Sequence, residues 1–558
     1  MKTKLLLALS LILAVGLFLR CKKPTDGFTY YFNSTVFEYT ASYKFSDPAN
    51  GNSVPAGLTV TAVGNNAGEI YDLSGFKKIN VINGMITVGL HPEASPASGS
   101  TFTVNLLVQA PGFRDENITV NFVYGDYNKP LKTYPMLNLT KPAAGVAVTT
   151  QTIALSNGVS TAPVEVGTSL SATAEQTATL KIDAGTQIQD ANGNPINAAS
   201  VSASVANFDV EKPEALQFIP GGSLVQDGVM INGVPTRILF SPAAMASIEM
   251  TAGGTDVKKF SKPVNIEFGL NENTQNPVTG QALKLGDVFK VYSYEVSTNT
   301  WTYESSGTVG GTANSLTANF GISHLTTFLI DMAASDNLLC PATSFTVNLQ
   351  SSNMPGVSTD PYSFKVYSAL LQKTVTSTVS VFDSSHTQLV LTGLPKGNIT
   401  ITAYNSLGAQ IGSVTLDLCS ALTGVLGLDI PVVTPTQPQL TISIAGKCAN
   451  GNSPAVGTKA PGGTIIMYRE AGVGDYKPLG VVNADGNLVT TSLVNNKQYD
   501  FNSSFSSPTD GKQVTISRIG QSLTSAENNA DYSLSYSDGN TKAVMMFTYA
   551  VKNNKYCK

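Results

Sequence analysis

The chain has 558 residues and a formal net charge of −4, with 34 Lys and Arg against 38 Asp and Glu. Charged residues make up 13%, half the roughly 25% usual for soluble domains, and 42% are hydrophobic. That balance makes disorder not the default reading, lacks the basic footprint of a nucleic-acid binder, and with only 49 Gly and 28 Pro excludes collagen. Three histidines and one tryptophan supply little material for a metal centre or an aromatic sugar platform. At roughly 150 residues per domain, the length implies about three or four domains.

The first element is a targeting segment. Met1-Lys2-Thr3-Lys4 is a short basic start, Leu5 to Leu19 an almost unbroken apolar run, and Arg20-Cys21-Lys22-Lys23 follows. This is the layout of a secretory signal, and the run is shorter than the ~20 residues of a spanning helix. Cys21 stands directly after the run, where a bacterial lipoprotein carries its acylated cysteine. The segment resembles a lipoprotein signal peptide, with Arg20 where that motif has a small residue. Followed by tandem β domains, it resembles the surface or periplasmic lipoproteins of the Bacteroidota. The resemblance implies a signal peptide over 1–20, acylation of Cys21 and a membrane held through that lipid. Ordinary signal cleavage near Ala14-Val15-Gly16 and an uncleaved anchor remain the alternatives.

Beyond residue 24 the sequence reads as strands and turns. Leu58 to Val63 alternates apolar and polar residues as a half-buried strand does. Ile79–Ile82, Asn83-Gly84 and Met85–Val88 predict a hairpin, because Asn-Gly accepts the positive φ angles of a type I′ turn. Asp227-Gly228, Asn232-Gly233, Asp485-Gly486 and Asp538-Gly539 are further turn signals. Short strands with turns about every ten residues predict an all-β fold of tandem immunoglobulin-like or transthyretin-like β-sandwiches in a string. The segment from Asn128 to Pro142, the polar stretch Ala333 to Leu339, and Pro431 to Pro438 read as connections. Four modules follow, at 24–130, 145–335, 338–432 and 438–558.

Five cysteines are present: Cys21, Cys340, Cys419, Cys448 and Cys557. Setting Cys21 aside leaves four, which allow three pairings. Position favours Cys340–Cys419 and Cys448–Cys557, each joining the two ends of one module. Disulfides require an oxidising compartment, in agreement with the signal. The alternative is four small buried thiols. No C-x-x-C pair or neighbouring His supports a metal site.

The last module contains Ile442-Ser443-Ile444-Ala445-Gly446, Gly462 to Tyr468 and Asn483-Ala484-Asp485-Gly486-Asn487. It is similar to carboxypeptidase-regulatory-like, transthyretin-type sandwiches, which implies a spacer or docking unit. Residues 338–432, with Leu391 to Asn398, resemble a generic immunoglobulin-type fold, and the first module is similar in class. The second module ends with Val291-Tyr292-Ser293-Tyr294, Thr298 to Trp301, and Ile322-Ser323-His324-Leu325-Thr326-Thr327-Phe328. Over residues 215–335 this resembles the GAIN/ZU5 group, which includes the proteolysis site of adhesion receptors. The resemblance implies a single self-cleavage at Leu325–Thr326. His324 would take the proton of the Thr326 hydroxyl, and that oxygen would attack the Leu325 carbonyl carbon. Such chemistry needs a strained turn; the flanking disulfides of the receptors have no counterpart here, since no cysteine lies in 145–335. The competing expectation makes the tripeptide the last strand of a sandwich, with Trp301 packed beneath it.

No nucleophile elbow, zinc helix or P-loop occurs. His91 and His386 stand among polar turn residues. Asp190-Ala191-Asn192-Gly193-Asn194 and Asp485-Gly486-Asn487 lack the full spacing of a calcium loop and read as hairpin turns. No cofactor and no catalytic carboxylate pair is expected; a carbohydrate-active hydrolase with an unfamiliar site is the further alternative. The sequence is therefore read as an exported, outer-membrane lipoprotein without enzymatic turnover, structural, adhesive or ligand-binding, with a glycan or an envelope protein as its partner.

Overall fold

The computed structural model describes residues 37–551 apart from 74, 128, 333–337, 343, 407, 435, 449–457, 508–512, 524–526 and 529–531. Cys21 and Cys557 lie outside the described residues. Strand dominates. Among the described residues α-helix is limited to the single turns Pro213–Leu216 and Leu418–Ala421, and no helix is long and apolar enough to cross a membrane. The chain is all-β, as its alternation of β-branched and polar residues requires.

The first sandwich packs a four-stranded sheet, in the order Ile70–Asp72, Met85–Leu90, Thr40–Ser46, Lys132–Pro135, on the three-stranded sheet of Thr59–Val63, Thr101–Gln109 and Glu116–Val123. Phe45, Val88, Leu106, Val108 and Phe122 fill the space between them. The third packs three strands on four, and the fourth five on four. In each of these the first strand pairs in parallel with the last. Tyr43–Ser46 runs beside Lys132–Pro135, Thr346–Gln350 beside Thr423–Gly427, and Gln439–Cys448 beside Lys542–Val551.

The second sandwich is larger, with a six-stranded and a ten-stranded sheet. Its first strand, Val146–Ser156, and its last, Thr327–Asp331, are separated by Ser200–Phe208 and Pro242–Ala252, and every step is antiparallel. In register, Val146 lies beside Phe208, Phe208 beside Met245 and Met245 beside Leu329. The chain therefore enters and leaves this sandwich at the same end.

That return brings the modules together. Arg114 of the first donates to the Phe218 carbonyl of the second at 2.6 Å, and Asn117 to the Val296 carbonyl at 2.6 Å. The second and third share one continuous apolar core that includes Phe240, Tyr292 and Trp301 on one side and Phe345, Phe364 and Phe382 on the other. Lys373 crosses the same boundary to Glu211 at 2.7 Å. The third and fourth are joined at Asp360, whose carboxylate accepts from Thr490 Oγ1 at 2.6 Å and from the Thr491 N–H at 3.2 Å. The tandem order thus closes on itself, because the Thr87 hydroxyl of the first module donates to the Gly463 carbonyl of the fourth at 2.8 Å.

Several turns form where the sequence places them. Asn232-Gly233 has φ of 49° and 81° and joins Val225–Ile231 to Val234–Leu239. Asn83 and Gly84 have φ of 51° and 72°, but the upstream arm of their hairpin pairs only at Ile82–Met85. Met85–Leu90 has both edges taken by Thr40–Ser46 and Ile70–Asp72, so no edge is left for Ile79–Val81. Asp227-Gly228 is a bulge within a strand, since the register shifts between Gln226 and Val229. The connection from Asn128 to Pro142 supplies a strand, Lys132–Pro135, at a sheet edge where proline is tolerated.

Cys340 and Cys419 form the expected disulfide, with Cα atoms 5.3 Å apart across a span of 79 residues. The chain-entropy argument gives about 4–5 kcal/mol for a loop of this length. Cys448 is also disulfide-bonded.

Burial raises the Asp360 carboxyl above its ordinary value, and the bonds from Thr490 and Thr491 only partly oppose it. A carboxyl with a higher pKa folded than unfolded gives stability that is complete below the unfolded value and is lost as pH rises through the folded one. Asp360→Asn keeps an acceptor for Thr490 and removes the charge. Its thermal midpoint is expected to fall less than that of the parent chain between acid and neutral pH, as followed by calorimetry.

Candidate functional site

The His324-Leu325-Thr326 tripeptide is the crossing between the two sheets of the second sandwich. His324 ends the strand Ser315–His324 of the six-stranded sheet, and Thr327 opens Thr327–Asp331 in the ten-stranded one. Leu325 is buried, and its N–H donates to the Lys258 carbonyl at 2.9 Å. The Thr326 carbonyl accepts from the Ile248 N–H at 3.0 Å, and its hydroxyl donates to the Tyr294 carbonyl.

The imidazole of His324 points to a different neighbour. Its Nε2 lies 3.7 Å from Glu304 Oε1, which also accepts from Ser293 Oγ at 2.5 Å, and its ring lies against Phe328. His324 and Thr326 are thus neighbours in sequence, but no hydrogen bond joins them. None of the three residues has a positive φ, and their peptide bonds are trans. Trp301 packs on Phe240 and Tyr294 rather than under Leu325, which belongs to a separate core. The residues sit at a tight crossing, with the base aimed at a carboxylate and the hydroxyl held by a neighbouring strand.

The other polar motifs are engaged locally. Asp190 accepts from the N–H groups of Asn192 and Asn194, each at 2.8 Å, and these bonds, with that from the Asn194 side chain foremost, hold its carboxyl below the usual range. His386 binds Asp383 at 2.8 Å within one turn. Among the described residues no group of three or more His, Cys, Asp or Glu is placed to hold a metal ion.

A concave site lies where the first and fourth sandwiches meet, and sequence reasoning did not find it. It is a cleft of about 620 Å³, counting its open mouth. Asp72, Asn80, Asn83 and Met85 line it from the first module, and Ile465, Met467, Asn502 and Phe505 from the fourth. Gly463 sets the approach of the two walls. It has φ of +87°, and a Cβ there would lie 2.6 Å from Thr87 Cγ2 and 3.2 Å from Thr40 Oγ1. Thr87 is itself bonded to Ser42 at 2.8 Å. The only local signal in sequence was the Gly462-Gly463 pair, which does not name its distant partner.

No known family profile matches the chain, and no curated protein matches it. Among solved structures it is similar to the Bacillus anthracis TIE protein at 10% identity, over 73% of this chain and 74% of that one, with a TM-score of 0.12. Surface layer protein SbsC, domains 4–9, matches at 11% identity over 88% and 84%, with a TM-score of 0.09. The extracellular cadherin domains 3–6 of protocadherin gamma B2 match at 8% identity over 91% and 97%, with a TM-score of 0.08. Scores this low do not establish a shared fold, and nothing below rests on them.

Two tests follow from these geometries. On a denaturing gel the purified protein is expected to run as one full-length band, identical in Thr326→Ala; two fragments that vanish in the variant would establish cleavage. Gly463→Val is expected to force the first and fourth modules apart. Small-angle scattering reads this as a larger radius of gyration, while circular dichroism stays that of a β protein.

Proposed function

We propose that the chain is an exported cell-envelope protein, anchored through lipid at Cys21, that acts without turnover as a structural, adhesive or ligand-binding assembly of β-sandwiches. The observation that carries this reading is the Cys340–Cys419 disulfide, because such bonds persist in oxidising compartments and are rare in the cytosol. The apolar run from Leu5 to Leu19 before Cys21 agrees with export. A single acyl chain holds a protein weakly, and more than one holds it firmly. The outer membrane is the address that the lipoprotein-like segment suggests.

Non-enzymatic action is favoured by what the polar groups do. The carboxylates and imidazoles described above serve turns and ion pairs, and the amides and hydroxyls of the cleft suit binding. Self-processing at Leu325–Thr326 is the second reading. It is favoured by the location of the tripeptide at a crossing between sheets, and it requires His324 to leave Glu304 and reach the Thr326 hydroxyl.

Intact mass spectrometry of the protein extracted from its native membrane tests the proposal. The expected mass is that of a chain beginning at Cys21, increased by acyl groups and lowered by the hydrogens lost at each disulfide. An unacylated chain with freely titratable thiols would overturn it.

A further inference from the structure

We infer that the cleft between the first and fourth sandwiches is a binding site for a short, neutral saccharide, a reading that rests on the ligand-binding role proposed above and names its chemical class.

The lining carries the argument. Three carboxamides border the cleft, Asn80 and Asn83 from one wall and Asn502 from the other. Neither their oxygens nor their NH2 groups have a hydrogen-bond partner among the described residues. A carboxamide presents a donor and an acceptor side by side. A pair of adjacent sugar hydroxyls presents the same two functions in return. Met85, Ile465 and Met467 are the apolar members of the same lining, as the C–H face of a pyranose ring requires. Sites of this kind, apolar with a few convergent polar groups, favour domain interfaces.

Charge narrows the class. No lysine or arginine is in the lining of the cleft among the described residues, so the lining itself holds no cation to pair with a phosphate or a carboxylate. The one carboxylate in the lining, Asp72, is buried and accepts the Asn80 N–H at 3.0 Å, which orients the Asn80 backbone.

Topology weighs against an extended peptide. Peptides bind β-proteins best by adding a strand to an open sheet edge. Three of the strands that line this cleft are interior, and the edge strand Ile70–Asp72 contributes only Asp72, whose N–H already donates to the Phe76 carbonyl at 2.8 Å. Met85–Leu90 lies between Ile70–Asp72 and Thr40–Ser46, Ile465–Glu470 between Lys477–Val481 and Gln498–Ser506, and Gln498–Ser506 between Ile465–Glu470 and Gln513–Ser522. Their backbone groups are committed to their own sheets, so recognition falls to side chains. The ligand would touch both modules at once and hold the closed arrangement that Thr87 and Gly463 begin.

The test uses the full mature chain, isothermal titration calorimetry, and maltohexaose, cellohexaose, xylohexaose and laminarihexaose as probes. Binding of at least one is expected, with affinity falling about tenfold or more in Asn80→Ala and in Asn502→Ala. Asn314→Ala, an exposed amide in a turn of the second module, is expected to leave it unchanged. Unaltered circular dichroism shows that the variants fold. Binding of none of the four, binding that survives both substitutions, or preference for an extended peptide or an anionic sugar would each overturn the inference. Acylation at Cys21 is read separately by mass, so failure here leaves the envelope reading standing.

Discussion

The arrangement depends on the direction in which each sandwich hands the chain onward. Where first and last strands are parallel, the chain enters at one end of a sandwich and leaves at the other. Three modules do this, and a series of them alone would be extended. The second module reverses it. Three antiparallel steps lie between Val146–Ser156 and Thr327–Asp331, so its entrance and exit share the level marked by Val146, Phe208, Met245 and Leu329. All four side chains belong to the core that continues into the third sandwich. The reversal and the second–third boundary are therefore one structure, and the meeting of the first and fourth modules is its consequence.

The four boundaries differ in chemistry. The second and third modules share an apolar core, and burying apolar surface is the dominant favourable term in association. The other boundaries are polar and specific. Arg114 pairs with Glu116 at 2.7 Å while both are almost wholly buried, and burial pushes the Glu116 carboxyl up despite that partner. Such a pair adds little net stability, but losing one partner leaves a buried charge, which is costly. Arg114 also lies over the Phe208 ring and donates to Phe218. It fixes the angle between modules more than it holds them together.

Much of the fold was legible because it is local. Asn232-Gly233 forms its turn because both residues tolerate positive φ at little cost; the Cys340–Cys419 pair spans 79 residues and was legible for another reason, that the two cysteines flank one module. What was not legible is non-local. Lys132–Pro135 looks like a connection because Pro130, Pro135 and Pro142 punctuate that stretch, yet it completes a sheet by pairing with a strand near residue 45. The Asn83-Gly84 turn was read correctly and its arm was not, because strand pairing is decided by which distant strands already hold the edges. The tripeptide at 324–326 could be found by its letters, but the two neighbours that occupy its base and its hydroxyl come from the strands Thr300–Thr308 and Val288–Glu295.

The boundary between the first and fourth modules is where binding would matter most. Its contact at Thr87 and Gly463 tolerates no side chain at position 463, so the walls approach closely there and diverge into the cleft. Burial, then the nearby Lys477, depresses the pKa of Lys44, so like charge already opposes closure on this side. An exposed cleft lined by unpaired amides, in a boundary held by a buried threonine and opposed by two lysines, has little to stabilise its closed form. A ligand that engages both walls would supply what the protein alone leaves out, because a ligand favours whichever conformation it binds more tightly. The reversal in the second sandwich places the two walls within reach of each other, and the contact of Gly463 with Thr87 sets how closely they meet.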